Sequence, residues 1–364
     1  MNLPAWWHLL AVRAKDELRH LARFDSSDRR WPMPLAAALA SGLPILLGAY
    51  AGELAYGLVA SLGGLVFLYM PHTPLHHRMV AMMACAFGMT ACYALGLLGH
   101  FFAPALIPIL AVLATLVTMV CRFYALGPPG SLFFIMTASI GAYTPVTPLQ
   151  LPLLVGLLAL GSLLACLIGL AYSVLTLPTQ PAKAIAALPP ARFDFVVFDA
   201  IVIGIFVAIS LAVAQLLQLT KAYWVPVSCL AVIQGASLRA VWTKQMHRVI
   251  GTGIGLLLAW CLLLLPLPPW GMGLVMMGLA FVIEVLVVRH YGVAVIFITP
   301  LTILLADLAS LGHSAPSELI HARLVDTILG CCIGFAGALC LHHAGFRRVL
   351  GRPVRWLIPS RFLP

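Results

Sequence analysis

Charge is scarce in this chain. Asp, Glu, Lys and Arg make up 9% of its 364 residues, where soluble domains carry about 25%. That shortage excludes an ordinary water-soluble fold: 62% of the residues are hydrophobic, and mean hydropathy reaches +1.05. Acidic residues are the rarer sign, 11 against 21 basic ones. No CxxC pair occurs among the nine cysteines, which argues against a zinc site and against a disulfide framework. Cys331 and Cys332 are neighbours and would point to different sides of a helix; the thiols read as buried and inert. The first 31 residues are basic and amphipathic, without the apolar core and small-residue site of a cleaved signal peptide.

What the chain does have is long apolar runs. A membrane-spanning helix needs about 20 mainly apolar residues. Twelve candidates stand out, at 34–51, 54–70, 79–98, 103–121, 129–144, 151–176, 194–217, 222–236, 248–265, 270–288, 291–310 and 323–343. The reading is an all-α polytopic membrane protein. With the N-terminus inside, every Lys and Arg except Lys221 and Arg323 falls on the cytoplasmic side. This is a positive-inside pattern that fits an even number of spans and N-in, C-in topology. The net charge of +10 therefore reflects topology and contact with anionic lipid, and no nucleic-acid partner is expected.

Short motifs recur at nearly one offset. Ala55–Gly57 (AYG) and Ala222–Trp224 (AYW) lie 167 residues apart, as do Arg122–Tyr124 (RFY) and Arg289–Tyr291 (RHY). ARFD at 22–25 returns at 191–194, and HRM at 77–79 returns as HRV at 247–249. Each match is weak alone; together, in one order, they predict two copies of a six-helix unit, related by an axis along the membrane normal because six is even. The expected organisation is a basic cytoplasmic segment 1–31, a first repeat 32–177, a proline-rich cytoplasmic linker 178–192, a second repeat 193–344 and a basic tail 345–364.

HRVIGTGIG (247–255) superficially suggests a phosphate-cradling loop, but such a loop needs a preceding buried strand. Gly251 and Gly255 form a GxxxG pair suited to close helix packing. Gly330, Gly334 and Gly337 read likewise, and no cofactor is expected. His247 and Arg248 are placed at the cytoplasmic mouth of their helix. Prolines 128, 129, 145 and 148 mark the fifth helix and Pro300 the eleventh; matching interruptions in two halves point to a transport site, with a simple kink as the alternative. HTPLHH (72–77) reads as a loop, and no metal site is assigned to it.

Ionisable residues inside a bilayer are costly and tend to be functional. Glu284, in FVIEVLV, and Asp199, in VFDAIVIG, are the proton-coupling candidates; each lies roughly 8–11 Å inside a cytoplasmic helix end at 1.5 Å per residue. Asp307 and Asp326 fall nearer the outer ends. Arg122 and Arg289 can pair bidentately with a carboxylate. Tyr124, Tyr291, Tyr56, Tyr223 and Trp224 would suit a flat ring, with Arg248 as a further cation; topological anchoring and interfacial aromatics are the other reading of this set.

The block YWVPVSCLAVIQ, then a polar loop, then HRVIGTGIGLLLA resembles the second membrane block of the fusaric acid resistance (FUSC) or aromatic acid exporter family. The residues carrying the likeness are Tyr223, Trp224, Arg248, Gly251, Thr252 and Gly255, and the duplicated plan extends it over 30–345. The resemblance implies an inner-membrane exporter of aromatic or other organic acids, driven by proton motive force, with a periplasmic adaptor in some Gram-negative relatives and a distant likeness to plant malate channels built as dimers of six-helix units. Two departures stand out. The linker is short where many relatives carry a large cytoplasmic domain, and the first half has Ala81 and Cys85 in place of the Gly-Thr-x-x-Gly element. Efflux of small organic anions is the leading expectation. A passive organic-anion channel and a non-transporting assembly protein are the rivals, and homo-oligomers fit either. No nucleophile–base set converges, so an enzyme is not expected.

Overall fold

The computed structural model describes Lys15, Glu17, Arg19 and residues 21–27, 29–185, 187–188, 194–309 and 316–349. Arg13, Arg192, Arg352, Arg355, Arg361 and the linker prolines Pro189 and Pro190 lie outside the described residues, as does the side chain of Asp307.

Helices follow one another along the described chain, with no strand among the described residues: α1 (Pro32–Tyr50), α2 (Leu54–Gly64, continued by a 3-10 turn over Leu65–Tyr69), α3 (Leu75–His100), α4 (Leu106–Phe123), α5 (Leu132–Tyr143) and α6 (Leu151–Thr176). After the linker come α7 (Asp199–Leu216), α8 (Trp224–Ile233), α9 (Leu238–Leu263), α10 (Pro269–Leu286), α11 (Tyr291–Ala309) and α12 (Pro316–His342). Eight of these segments are long and apolar enough to cross a membrane, and Leu54–Tyr69, Leu132–Tyr143, Trp224–Ile233 and Tyr291–Leu305 are shorter apolar helices. The protein is a multi-pass, all-helical membrane protein.

The short helices sit deepest. All ten residues of α8 are buried, and ten residues rise only about 15 Å, half of a hydrocarbon core of about 30 Å. Its backbone ends therefore fall at membrane depth, which is tolerated only where protein surrounds them or a cavity opens. Long helices enclose α8: Gly330 and Gly334 of α12 approach so closely that an added Cβ would meet the carbonyl oxygens of Val225 and Cys229 at 2.5 and 2.6 Å. The same device joins α9 to α11. A Cβ on Gly251 or Gly255 would lie 2.6 Å from the carbonyl oxygen of Gly292 or Ile296. The GxxxG face is thus a packing face, in the middle of a helix with no strand before it.

In the first half α3 packs on α5 and α2 on α6; in the second α9 packs on α11 and α8 on α12. The halves meet chiefly along two seams, α4 against α7 and α1 against α10, with α5 touching α8 and α2 touching α11 between them. The largest apolar core crosses the first seam, taking Leu110 and Ala114 from α4 together with Ile203 and Val207 from α7.

Three expectations shift. First, α9 starts at Leu238 rather than 248, so His247 and Arg248 lie about three turns inside the helix, not at its mouth; the polar residues from Arg239 to Arg248 depress hydropathy, but Arg239, Lys244, His247 and Arg248 have partners within the fold. Likewise α12 starts at Pro316 rather than 323, which places Arg323 and Asp326 well inside it. Second, His76 and His77 belong to the first turn of α3 rather than to a loop, and only the 70–74 stretch is non-helical. There His72 is held below the usual imidazole range, first by burial and then by Arg78, Lys183 and Arg29. Third, prolines bound α5 instead of interrupting it, while Pro300 does lie inside α11. Of the cysteines, Cys331 is buried and its neighbour Cys332 faces outward as expected, but Cys261 is exposed too.

Candidate functional site

The charged side chains form two groups. One group clasps the seams. Arg122, at the end of α4, donates from Nη1 to Asp199 Oδ2 at 2.7 Å and to the Phe195 carbonyl at 2.6 Å, with its guanidinium 4.4 Å from the centre of the Phe195 ring. Arg347 donates to the other oxygen of Asp199 at 2.8 Å. Across the second seam, Arg29 donates to Glu284 Oε2 of α10 at 2.9 Å. The polarity is reversed between seams: α4 supplies the cation at the first and α10 the acid at the second. Both proton-coupling candidates are therefore partnered acids, which offsets part of the cost of burying them. Glu284→Gln is expected to lower stability by about 1–2 kcal/mol, less than for a fully enclosed pair because Arg29 keeps contact with water; thermal unfolding of the detergent-solubilised protein measures this, and an unchanged midpoint would deny the clasp its role.

The segment before α1 also reaches across to the second half. The Leu21 carbonyl accepts from Nε2 of His247 at 2.9 Å and of His290 at 2.8 Å, and those two rings lie 4.6 Å apart. Phe24 packs on His290, and the Asp25 amide donates to the Arg289 carbonyl. Arg289 itself is exposed, as is Tyr124, and Tyr56 lies in a first-half apolar cluster. The structure does not bring these three together with the other substrate candidates.

The second group lies inside the second half, among α8, α9, α11 and α12. Arg248 is 6% exposed. Its Nη1 donates to the Tyr291 hydroxyl at 3.0 Å and its Nη2 to Ser228 Oγ at 3.2 Å, while its Nε finds no hydrogen-bond partner. The Lys244 ammonium sits 5.4 Å from the centre of the Tyr291 ring. On α12, Arg323 is 4% exposed and lies 4.3 Å over the Trp224 ring. Its Nε and Nη1 find no hydrogen-bond partner, nor does either carboxylate oxygen of Asp326 one turn further on. Tyr223 stacks on Trp224 at 5.1 Å. Four of the sequence-derived binding candidates (Arg248, Tyr291, Tyr223 and Trp224) thus meet in one place. Sequence reasoning missed Arg323; its one signal was that it broke the positive-inside pattern.

Such a site can do one thing well. Guanidinium donors held in a low-dielectric interior with unused N–H groups bind an anion strongly, because leaving them unmade is costly. The aromatic faces of Tyr223 and Trp224 add flat apolar contact.

Comparison with known proteins singles out this same region. Residues 207–337 match the family described as fusaric acid resistance protein-like. The match contains Arg248, Tyr291, Arg323 and Asp326, whereas Arg29, Arg122 and Asp199 lie outside it. Among curated proteins, the chain is 28% identical over 140 residues to an uncharacterized membrane protein of Bacillus subtilis, YvaC, covering 38% of this chain and 22% of that one. It is 32% identical over 139 residues to the uncharacterized protein YhfK of Escherichia coli, covering 37% and 19%. The chain spans about a fifth of the length of these relatives. No solved structure matches it.

Proposed function

We propose that this protein is a transporter that exports small organic acids, aromatic carboxylates among them, across the bacterial inner membrane using the proton motive force. The observation that carries this reading is Arg248: a cation buried well inside a membrane-length helix, hydrogen-bonded only to neutral hydroxyls and with one N–H unused. A charge at that depth is expensive, and an anionic ligand is the partner that would compensate it.

The architecture proposed to support transport is a parallel duplication of six helices, twelve in all, with both termini inside. Packing pairs of the first half recur at matching ranks in the second, and the two seams exchange under the same operation. The short second helix of each half, α2 and α8, and the short α5 leave non-helical backbone at membrane depth, the arrangement favoured for substrate sites.

Labelled hydroxybenzoate loaded into cells should leave faster when the protein is expressed than when it is absent. Unchanged retention across a panel of aromatic and aliphatic acids would remove the substrate assignment. Glu284 serves as proton carrier only when Arg29 releases it, so the Glu284→Gln variant should export more slowly and lose its pH dependence. Export by that variant that stays fast and pH-dependent takes Glu284 out of the coupling step.

A further inference from the structure

We propose that Arg323, on α12 of the second half, forms a site for a single carboxylate. This rests on the transport reading for its role but not for its binding chemistry.

Three observations lead there. Arg323 lines a small cavity with Lys221, Trp224 and Thr302, floored by Ile303 and Leu319. Its buried guanidinium presents two unused donors, and the Trp224 face behind it fixes the plane of the fork. A carboxylate is the ligand that matches a planar fork bidentately, and Lys221 supplies the second positive charge at the cavity wall. Asp326, one turn further along α12, accepts no hydrogen bond from this guanidinium, so both donors remain unspent.

The first half lacks the equivalent. α6, LPLLVGLLALGSLLACLIGLAYSVLT, holds no Asp, Glu, His, Lys or Arg. The buried arginine at the position matching Arg248 is Arg78, and it is committed: Nε donates to the Thr73 carbonyl at 2.6 Å and Nη1 to Ser173 Oγ. One chain therefore offers one such site, in its second half.

Binding of benzoate to the purified full chain in detergent, measured by titration calorimetry, tests this directly. Arg323→Gln should weaken binding about ten- to hundredfold, the worth of hydrogen bonds to a charged group. Arg323→Lys should fall between the two, keeping the charge but losing the fork. Arg78→Gln should bind like the parent chain. Inorganic phosphate in place of benzoate should bind more weakly; equal or tighter phosphate binding would make the site one for lipid headgroups or free phosphate and overturn the carboxylate assignment. Arg323→Gln with unchanged affinity, alongside an unchanged thermal midpoint, would overturn the site, as would loss of binding in Arg78→Gln instead. If wild-type chain binds benzoate in an Arg323-dependent way yet proteoliposomes show no benzoate flux, the transport reading fails while this site stands.

Discussion

Replacing Gly255 with valine is expected to remove most folded protein from the membrane. A Cβ at this position would lie 2.6 Å from the Ile296 carbonyl oxygen and 2.8 Å from Thr299 Cβ. A carbonyl in the backbone of α11 cannot swing away as a flexible side chain would, so α9 and α11 must separate. Overpacking a core by a methylene or two costs about 1–3 kcal/mol; here the clash is with backbone and is continued by Gly251 one turn away, so the upper end of that range is the floor. Gly253 provides the control. It lies between the two, and nothing stands within 4 Å of an added Cβ. Gly253→Val should reach parental yield in fluorescence-detected size exclusion, while Gly255→Val should be lost or aggregated. Equal yields of the two variants would show that the glycine face does not set the α9–α11 distance.

The second large effect is expected at Asp199. Its two oxygens accept separately from Arg122 and Arg347 at 2.7 and 2.8 Å. Asp199→Asn leaves both guanidinium groups facing a neutral amide. Removing one partner of a buried ion pair costs about 3–5 kcal/mol; Arg347 is 31% exposed and keeps part of its hydration, so a loss of about 2–3 kcal/mol is the expectation. The double variant Asp199→Asn, Arg122→Gln should recover part of it, since the unpaired charge is what costs. Thermal unfolding of the single and double variants decides this. A double variant that loses as much as the two single changes added together would mean that Arg122 and Asp199 stabilise the seam independently.

Much of the architecture was legible from hydropathy and charge alone. The all-helical membrane class, the linker and the close-packing role of Gly251 and Gly255 follow from composition and spacing, because burying backbone in lipid leaves few options. The ends of α9 and α12 were not legible. Arg239, Lys244, Gln245 and Arg248 in one, and Glu318 and Arg323 in the other, lower local hydropathy below what a lipid-facing helix tolerates. Hydropathy has no means of knowing that Lys244, Arg248 and Arg323 turn inward, to Tyr291, Ser228 and Trp224, while Arg239 pairs with Glu17 at the exposed start of α9.

The candidate site divides in the same way. By itself the sequence determined that acids and arginines lie within apolar runs, that Arg-x-Tyr recurs, and that Tyr223, Trp224 and Arg248 carry a family likeness. Only the tertiary structure decided which of those charges are already paired. Arg122 and Asp199 are more than 70 residues apart in the chain and satisfy each other; Arg29 and Glu284 do the same across 255. Arg248 and Arg323, on different helices, are instead buried with donors unspent. Chain position sets how deep a charge lies, but pairing depends on contacts between helices distant in sequence, and no local pattern encodes those.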